Sequence, residues 1–410
     1  MNTLKMRRMI SGLSPFLSGA FAIVLAIAII AAPESSFAAS LQGLKLWWTL
    51  VFPALLPFLI LSEMLAASGF VHGLGVLLAP LMTRIFRLPG IGGWTLALGM
   101  TAGFPAGANG VMQLHRQGSI SDQEAGRLAS LAHFASPISL LIVVGAAFLQ
   151  NPAAGYALMA IHWLSGLLAG CTTALIGRRA SGSERLSTAE TRKSPPVSLI
   201  RQVHKAAAEA RVRDGRSFGK LLGESVTSAV QNLMVVGGYM IMFAVVINIV
   251  ISLVPQLPSP LAAGFLEIHL GAKELTSGTA AAGHGSTGVF GFALLSAALG
   301  WSGICGQLQA LTALRAAGVR FGAFAFSRML HGLYAFICTL LLWKPLMNIR
   351  GAVLPAAAGS DATVQSMRIT PAAVWHTVPE LLGVQSLLIV ILLALSAAVY
   401  FISSPRRPKS

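Results

Sequence analysis

The chain has 410 residues, of which 55% are hydrophobic and only 10% charged, with a formal net charge of +16 and a mean hydropathy of +0.74. Soluble domains carry roughly 25% charged residues, so this composition excludes a soluble globular protein and points to an all-α polytopic integral membrane protein. The positive charge sits in short loops between apolar runs, the pattern of cytoplasmic loops rather than of a nucleic-acid-binding face, so no nucleic acid partner is expected.

At the N-terminus, Lys5, Arg7 and Arg8 precede an apolar run from Phe16 to Ala32, and Ser36-Phe37-Ala38 resembles a signal-peptidase site. The run is long for a signal h-region, so a retained helix over 13–32 is favoured, with residues 1–40 as an N-terminal unit. Either choice leaves residue 40 outside the cytoplasm. Further apolar runs follow at 44–67, 70–86, 92–114, 130–149, 154–176, 226–254, 286–313, 323–347 and 382–402. Most approach the roughly 20 residues that span a bilayer, which predicts about eight to ten membrane segments. The stretch 70–86 is short and ends at Arg84 and Arg87, so it reads as a half-span or an interfacial helix.

Residues 177–220 form a linker with eleven Lys or Arg against four acids, a net of +7. This charge keeps the linker in the cytoplasm. Residues 201–216 read either as a basic helix on anionic lipid or as a solvated linker. The linker divides a first membrane repeat, 44–176, from a second, 221–347, with a loop and a last helix over 348–410. Tracing the loops from a cytoplasmic N-terminus runs 44–67 inward and 226–254 outward, so the halves are inverted. Gly103, Leu114 and Gly118 recur at an offset of 200 as Gly303, Leu314 and Gly318, which pairs the segment around Pro105 with 301–309. One tension follows. A re-entrant 286–313 leaves Arg315, Arg320 and the tail Arg406, Arg407 and Lys409 outside, whereas a crossing 286–313 brings them inside but breaks the symmetry.

Enzyme motifs are absent from the sequence: it has no phosphate-binding loop and no H-E-x-x-H, and His284-Gly285-Ser286-Thr287-Gly288 lacks the first glycine of a nucleophile elbow. No enzyme, cofactor or metal is expected. Cys171, Cys305 and Cys338 lie in apolar runs without pair spacing and read as small buried hydrophobes. The strongest signal is Gly99-x3-Gly103-x3-Gly107, with Pro105 and Asn109. Glycines at that spacing pack helices closely. Proline also removes a donor and frees the carbonyl four residues earlier, and unpaired backbone at membrane depth survives only beside protein or a wet cavity. A broken helix here would aim N–H groups at an anion; the alternative is a kinked packing helix. Ser302, Gly303, Gln307 and Gln309 either orient a polar solute or glue helices. Among the acids Glu267 is the best functional candidate, ahead of Glu63 and Glu224; its bland reading is an interfacial acid at a helix end. Arg328 and His331 share a helix face at i, i+3 and read as a structural pair.

Five stretches carry a resemblance: Phe52-Pro53-Ala54-Leu55-Leu56-Pro57-Phe58; Gly99 to Ala108 (GMTAGFPAGA); Ser217-Phe218-Gly219-Lys220-Leu221-Leu222-Gly223; Gly264-Phe265-Leu266-Glu267-Ile268; and Arg328-Met329-Leu330-His331-Gly332. In this order they resemble the YlbJ-type sporulation integral membrane proteins with two nucleoside-recognition (Gate) domains. The resemblance implies a bacterial spore former and a fold related to concentrative nucleoside transporters, with inverted repeats and re-entrant hairpins. It also implies a part in making heat-resistant spores, with dipicolinic acid as the solute moved from mother cell toward forespore. The sequence departs where members carry Lys, here Asn109, and where they carry Asn-rich residues, here His133, Ala135 and Ser136.

The expected function is therefore a secondary transporter for a small polar or anionic solute in a multi-pass bacterial membrane. The alternatives are a non-transporting scaffold or gating subunit of spore assembly, or a nucleoside-type permease. The expected solute site comprises Gly103, Pro105, Gly107, Asn109, Ser136, Glu267, Ser302, Gly303 and Gln307. Its partners are the solute and the lipid bilayer, with the oligomeric state left open.

Overall fold

The computed structural model describes residues 19–180, 199–281, 288–353, 383, 386–387 and 390–400. The charged start of the chain, the Pro195-Pro196 break of the linker, the His284 loop and the basic tail lie outside the described residues.

Every regular element described is helical. Five helices are long and apolar enough to cross a membrane: Pro33–Ala67, Pro152–Ile176, Phe218–Leu253, Val289–Ala313 and Phe321–Asn348. The pair Phe70–Phe86 and Gly90–Ala102 makes a sixth only if counted as one, for it is bent by 113°. Gly19–Ala31, Ser139–Phe148 and Val390–Tyr400 are shorter apolar helices. In chain order the elements are α1 (Gly19–Ala31), α2 (Pro33–Ala67), α3 (Phe70–Phe86), α4 (Gly93–Ala102), α5 (Phe104–Arg116), α6 (Asp122–Leu131), α7 (Ser139–Phe148), α8 (Pro152–Ala180) and α9 (Leu199–Asp214). Then follow α10 (Phe218–Leu253), α11 (Ser259–Leu266), α12 (Ile268–Ala281), α13 (Val289–Trp301), α14 (Gly303–Ala313), α15 (Phe321–Val353) and α16 (Val390–Tyr400).

Local chemistry sets the starts of these helices. Pro33 and Pro152 begin α2 and α8, and Pro105 and Pro260 sit in the first turns of α5 and α11, where a missing N–H costs nothing. Ser121 and Glu124 close a reciprocal capping box on α6, which satisfies two donors that would otherwise be orphaned.

The segment 92–114 is a hairpin, not a span. At Gly107 a Cβ would lie 3.1 Å from Gly99 Cα, and at Gly110 it would meet Trp94 and Thr95. The arms α4 and α5 therefore fold back on each other, with Gly103 at the tip. A second hairpin is formed by α11 and α12, where a Cβ on Gly271 would collide with the backbone of Gly264 and Glu267 is the tip. Each hairpin precedes a pair of helices with a break between them. The first pair is α6 and α7, interrupted at 132–136. The second is α13 and α14, interrupted at Ser302, where Ser302 and Gly303 both have φ of 66°. Each pair then precedes one long helix, α8 or α15.

The pairing of these elements differs from the 200-residue offset. The tips Gly103 and Glu267 correspond, 164 positions apart, and the counterpart of Ser302 and Gly303 is the break at 132–136. The segment Val289–Ala313 is long and apolar enough to cross a membrane, and Val319, beyond it, reaches Gly126 beside the base of hairpin one. A shared cytoplasmic side for Arg84, Arg87, Arg116, Arg127, Arg315, Arg320 and α9 is what the positive-inside rule would then predict.

Residues 33–67 form one long helix rather than a loop and a span. Packing of α2 antiparallel to α10 brings Gly43 against Ala244 and Trp47 against Gly237, with Trp47 Nε1 donating to Leu233 O at 2.9 Å. The sequence resembling a cleavage site lies inside this packed helix. Helix α9 packs Val203 against Gly73 of α3 and Ala207 against Gly69 just before it, while its Leu199, Ile200 and Val212 are exposed. Just beyond it, Arg216 forks onto Asp214 and reaches Glu224 at 2.9 Å. The side-chain hydrogen bond from Arg216 holds the Asp214 carboxyl below its usual range. Glu224 is thereby a partner in a surface ion network.

Candidate functional site

The two tips and two breaks converge. At Gly103 the backbone has φ 92° and ψ 178°, a region essentially reserved for glycine. A Cβ there would stand 3.0 Å from Ser136 Cβ and 3.2 Å from Ser136 N. The first tip thus rests on the first break. In the second repeat a Cβ on Gly303 would stand 3.0 Å from Leu266 O and 3.1 Å from Glu267 Cα. The second tip rests on the second break in the same way.

The two halves then join through the breaks. His133 Nε2 and Ser302 Oγ are hydrogen-bonded at 3.0 Å. Phe104, next to the first tip, stacks on the His133 ring at 4.7 Å and faces Gly306, while Phe324 meets His133 edge-on. The result is a buried junction of four interrupted elements, which needs a polar lining because each interruption frees backbone groups.

Each polar side chain answers one such need. Ser136 Oγ accepts from Ser139 N at 3.1 Å and so caps α7. Glu267 is 1% exposed; one oxygen accepts from Leu270 N at 2.7 Å, and the other is 2.9 Å from His269 Nδ1. It caps α12, where the helix dipole favours a negative charge. Gln307 Nε2 donates to Trp301 O at 3.0 Å, a carbonyl freed by the second break. Its Oε1 is buried without a partner among the described groups, which leaves an acceptor facing the junction region.

Of the residues expected from sequence, Gly103, Ser136, Glu267, Ser302 and Gly303 meet at the junction, with Gln307 one turn beyond. Pro105 lies in the first turn of α5, next to the tip, so the helix breaks at Gly103 and the proline starts the next helix. Gly107 is an arm residue that lets Ala132 O approach to 2.5 Å from its Cβ position, a packing role. Asn109 is exposed on α5 and is not brought to the junction. Glu267 stands at the tip, between the end of α11 and the start of α12.

Sequence reasoning missed Phe104, His133 and a second tier of buried histidines. His162 Nε2 accepts from Ala135 N at 3.0 Å, and His162 and His331 face each other at 4.5 Å between centroids. His331 Nε2 is 2.9 Å from His162 O. Their legible signal is an ionisable side chain deep in an apolar run, the same signal that marks Glu267.

A junction of two hairpins and two broken helix pairs, inside an all-α polytopic bundle, defines a membrane protein with paired discontinuous repeats. Residues 48–161, which contain the first hairpin and break, match the Gate family, described as nucleoside recognition. The chain is 38% identical over 358 residues to the sporulation integral membrane protein YlbJ of Bacillus subtilis (strain 168), a match covering 82% of this chain and 85% of that protein. The chain belongs to the family of that sporulation integral membrane protein. No solved structure matches.

Proposed function

We propose that the chain is a secondary transporter of a small anionic solute during spore maturation, and that the four-element junction is its solute site. The observation that carries this reading is the meeting of both hairpin tips with both helix breaks at one buried point. Paired discontinuous helices from inverted repeats are the arrangement in which transporters place solute sites near the bilayer midplane. Two uncapped helix starts, of α5 at Gly103 and α14 at Ser302, supply N–H groups suited to an anion. Gly103, Ser136, Ser302, Gly303 and Gln307 would line the site, with Glu267 at the second tip as the group that changes charge or contacts the solute.

Dipicolinate is the solute proposed, moved from mother cell toward forespore across the mother-cell-derived forespore membrane, because the family is a sporulation family and the solute is a compact dianion. The test is uptake of radiolabelled dipicolinate into proteoliposomes containing the full chain. Saturable uptake above protein-free vesicles supports the proposal. Uptake equal to protein-free vesicles, with correctly inserted protein, favours a non-transporting role in spore assembly.

A further inference from the structure

One full positive charge lies behind the junction without a counter-charge. Arg328, on α15, is 2% exposed. Its Nη1 donates to His133 O at 2.6 Å and lies 3.0 Å from His331 Nδ1, and its Nη2 donates to Ser130 O. Its Nε is buried with no hydrogen-bond partner. Among the described residues no carboxylate lies within 4.0 Å of the guanidinium. The carbonyl of Ser130 belongs to the last turn of α6, and that of His133 lies in the break just beyond it. They offer the partial negative charge of a helix C-terminus, which solvates a cation without neutralising it.

The acid of the junction is situated differently. Glu267 is answered locally by the start of α12 and by His269. Among the described residues Arg328 is met by carbonyl dipoles, by the His331 ring nitrogen and, at 5.8 Å, by the face of the Phe324 ring, and by no carboxylate. A buried ion without a partner is strongly disfavoured in an apolar interior, so its retention calls for a negative group that arrives. Two short paths lead from Arg328 to the junction: the guanidinium holds the carbonyl of His133, whose ring holds Ser302, and it lies over the Phe324 ring, which meets His133 edge-on.

We propose that Arg328 is the specificity-determining residue of the junction. It biases the site toward a solute carrying carboxylates, bound on the His133–Ser302 side, and it acts through space and through the His133 backbone rather than by direct contact. This inference rests on the transport reading above.

The experiment uses full-length protein in proteoliposomes with two probes of nearly the same shape, pyridine-2,6-dicarboxylate and the neutral pyridine-2,6-dicarboxamide. The native chain should take up the dianion with a KM at least about tenfold lower than the diamide, as expected for a charge acting at several ångströms in a partly screened interior. Arg328→Gln keeps a donor for the carbonyls and removes the charge. It should raise the dianion KM about tenfold, leave the diamide KM unchanged and keep membrane abundance. Arg328→Lys keeps the charge and loses the fork, so it should retain the dianion preference. If the native chain takes up both probes alike, this assignment falls while transport stands. If it takes up neither, both fall. If Arg328→Gln lowers uptake of both probes equally, the arginine is a helix cap and the assignment is overturned. Should Arg328→Gln fail to accumulate, an accumulating Arg328→Lys that treats both probes alike overturns it just as well.

Discussion

The two hairpin tips do the same job with opposite chemistry. The first turns at Gly103, bare backbone in a conformation only glycine tolerates, pressed onto Ser136. The second turns at Glu267, in ordinary extended geometry, with φ −142° and ψ 127°, and uses its carboxylate to cap the returning helix. The first tip is therefore specified by the absence of a side chain and the second by the presence of one. Shape constrains one tip and charge the other, and substitutions should separate the two.

The largest effect concerns sidedness. If the hairpins are inverted, single cysteines in a background lacking Cys171, Cys305 and Cys338 should label from opposite faces. Gln117→Cys, at the exposed base of hairpin one, should be protected from an impermeant thiol reagent added outside cells. Ser277→Cys, on the last described exposed turn of hairpin two, should react. Reaction of both from one side would break the comparison outright.

Next is Gly103→Leu. A side chain at φ 92° is strained by about 1–3 kcal/mol, and its Cβ would press on Ser136 as well. Membrane abundance should fall several-fold, with flux falling in proportion. Abundance near that of the native chain would show that the tip relaxes and that shape is not its constraint. Glu267→Gln keeps the shape and an acceptor for Leu270 N but removes the charge. Abundance should change little, while dipicolinate flux falls about tenfold or more. Unchanged flux would remove Glu267 from the site and leave it as a cap alone.

The smallest effect is expected at Gly306, where a Cβ would meet Phe104, Ser302 Cβ and Ser302 Oγ at 3.6, 3.7 and 3.8 Å, ordinary contact distances. Gly306→Ala should keep or slightly raise abundance, since alanine is better than glycine inside a helix by about 1 kcal/mol, with flux within a factor of two. Gly306→Leu in the same assay should fill the gap between Phe104 and Ser302 and stop flux at normal abundance. Full flux in the leucine variant would place the solute elsewhere.

Much of this architecture was legible in the sequence. Apolar runs located the helices, and glycine with Pro105 marked the first interruption. What could not be read was which interruptions correspond. A re-entrant hairpin and a broken span share one local signature, two short helices flanking a glycine. They differ only in whether the arms touch. Gly99, Gly107 and Gly110 close the arms around Gly103, whereas α13 and α14 together form one span. The matched glycines at 103 and 303 therefore suggested a repeat between elements of different kinds. Asn109 failed for a related reason: it is in the right segment, but its place on α5 leaves it exposed. Glu267 was found because a carboxylate inside an apolar run is conspicuous whatever the fold around it. His133, equally buried, carried no such flag in a chain with nine histidines.

The hydrogen bond between His133 and Ser302 spans 169 positions, and that separation has a consequence for biogenesis. The first tip and its break emerge from the ribosome and enter the bilayer well before Ser302 is made. Until then the His133 ring lacks its partner, and Arg328, which holds the carbonyls behind it, does not yet exist. The first repeat must therefore wait, half-completed, in a membrane that penalises unpaired polar groups. Chains stopped before residue 302 should be substrates for membrane quality control, and assembly should be cooperative across the whole length rather than repeat by repeat.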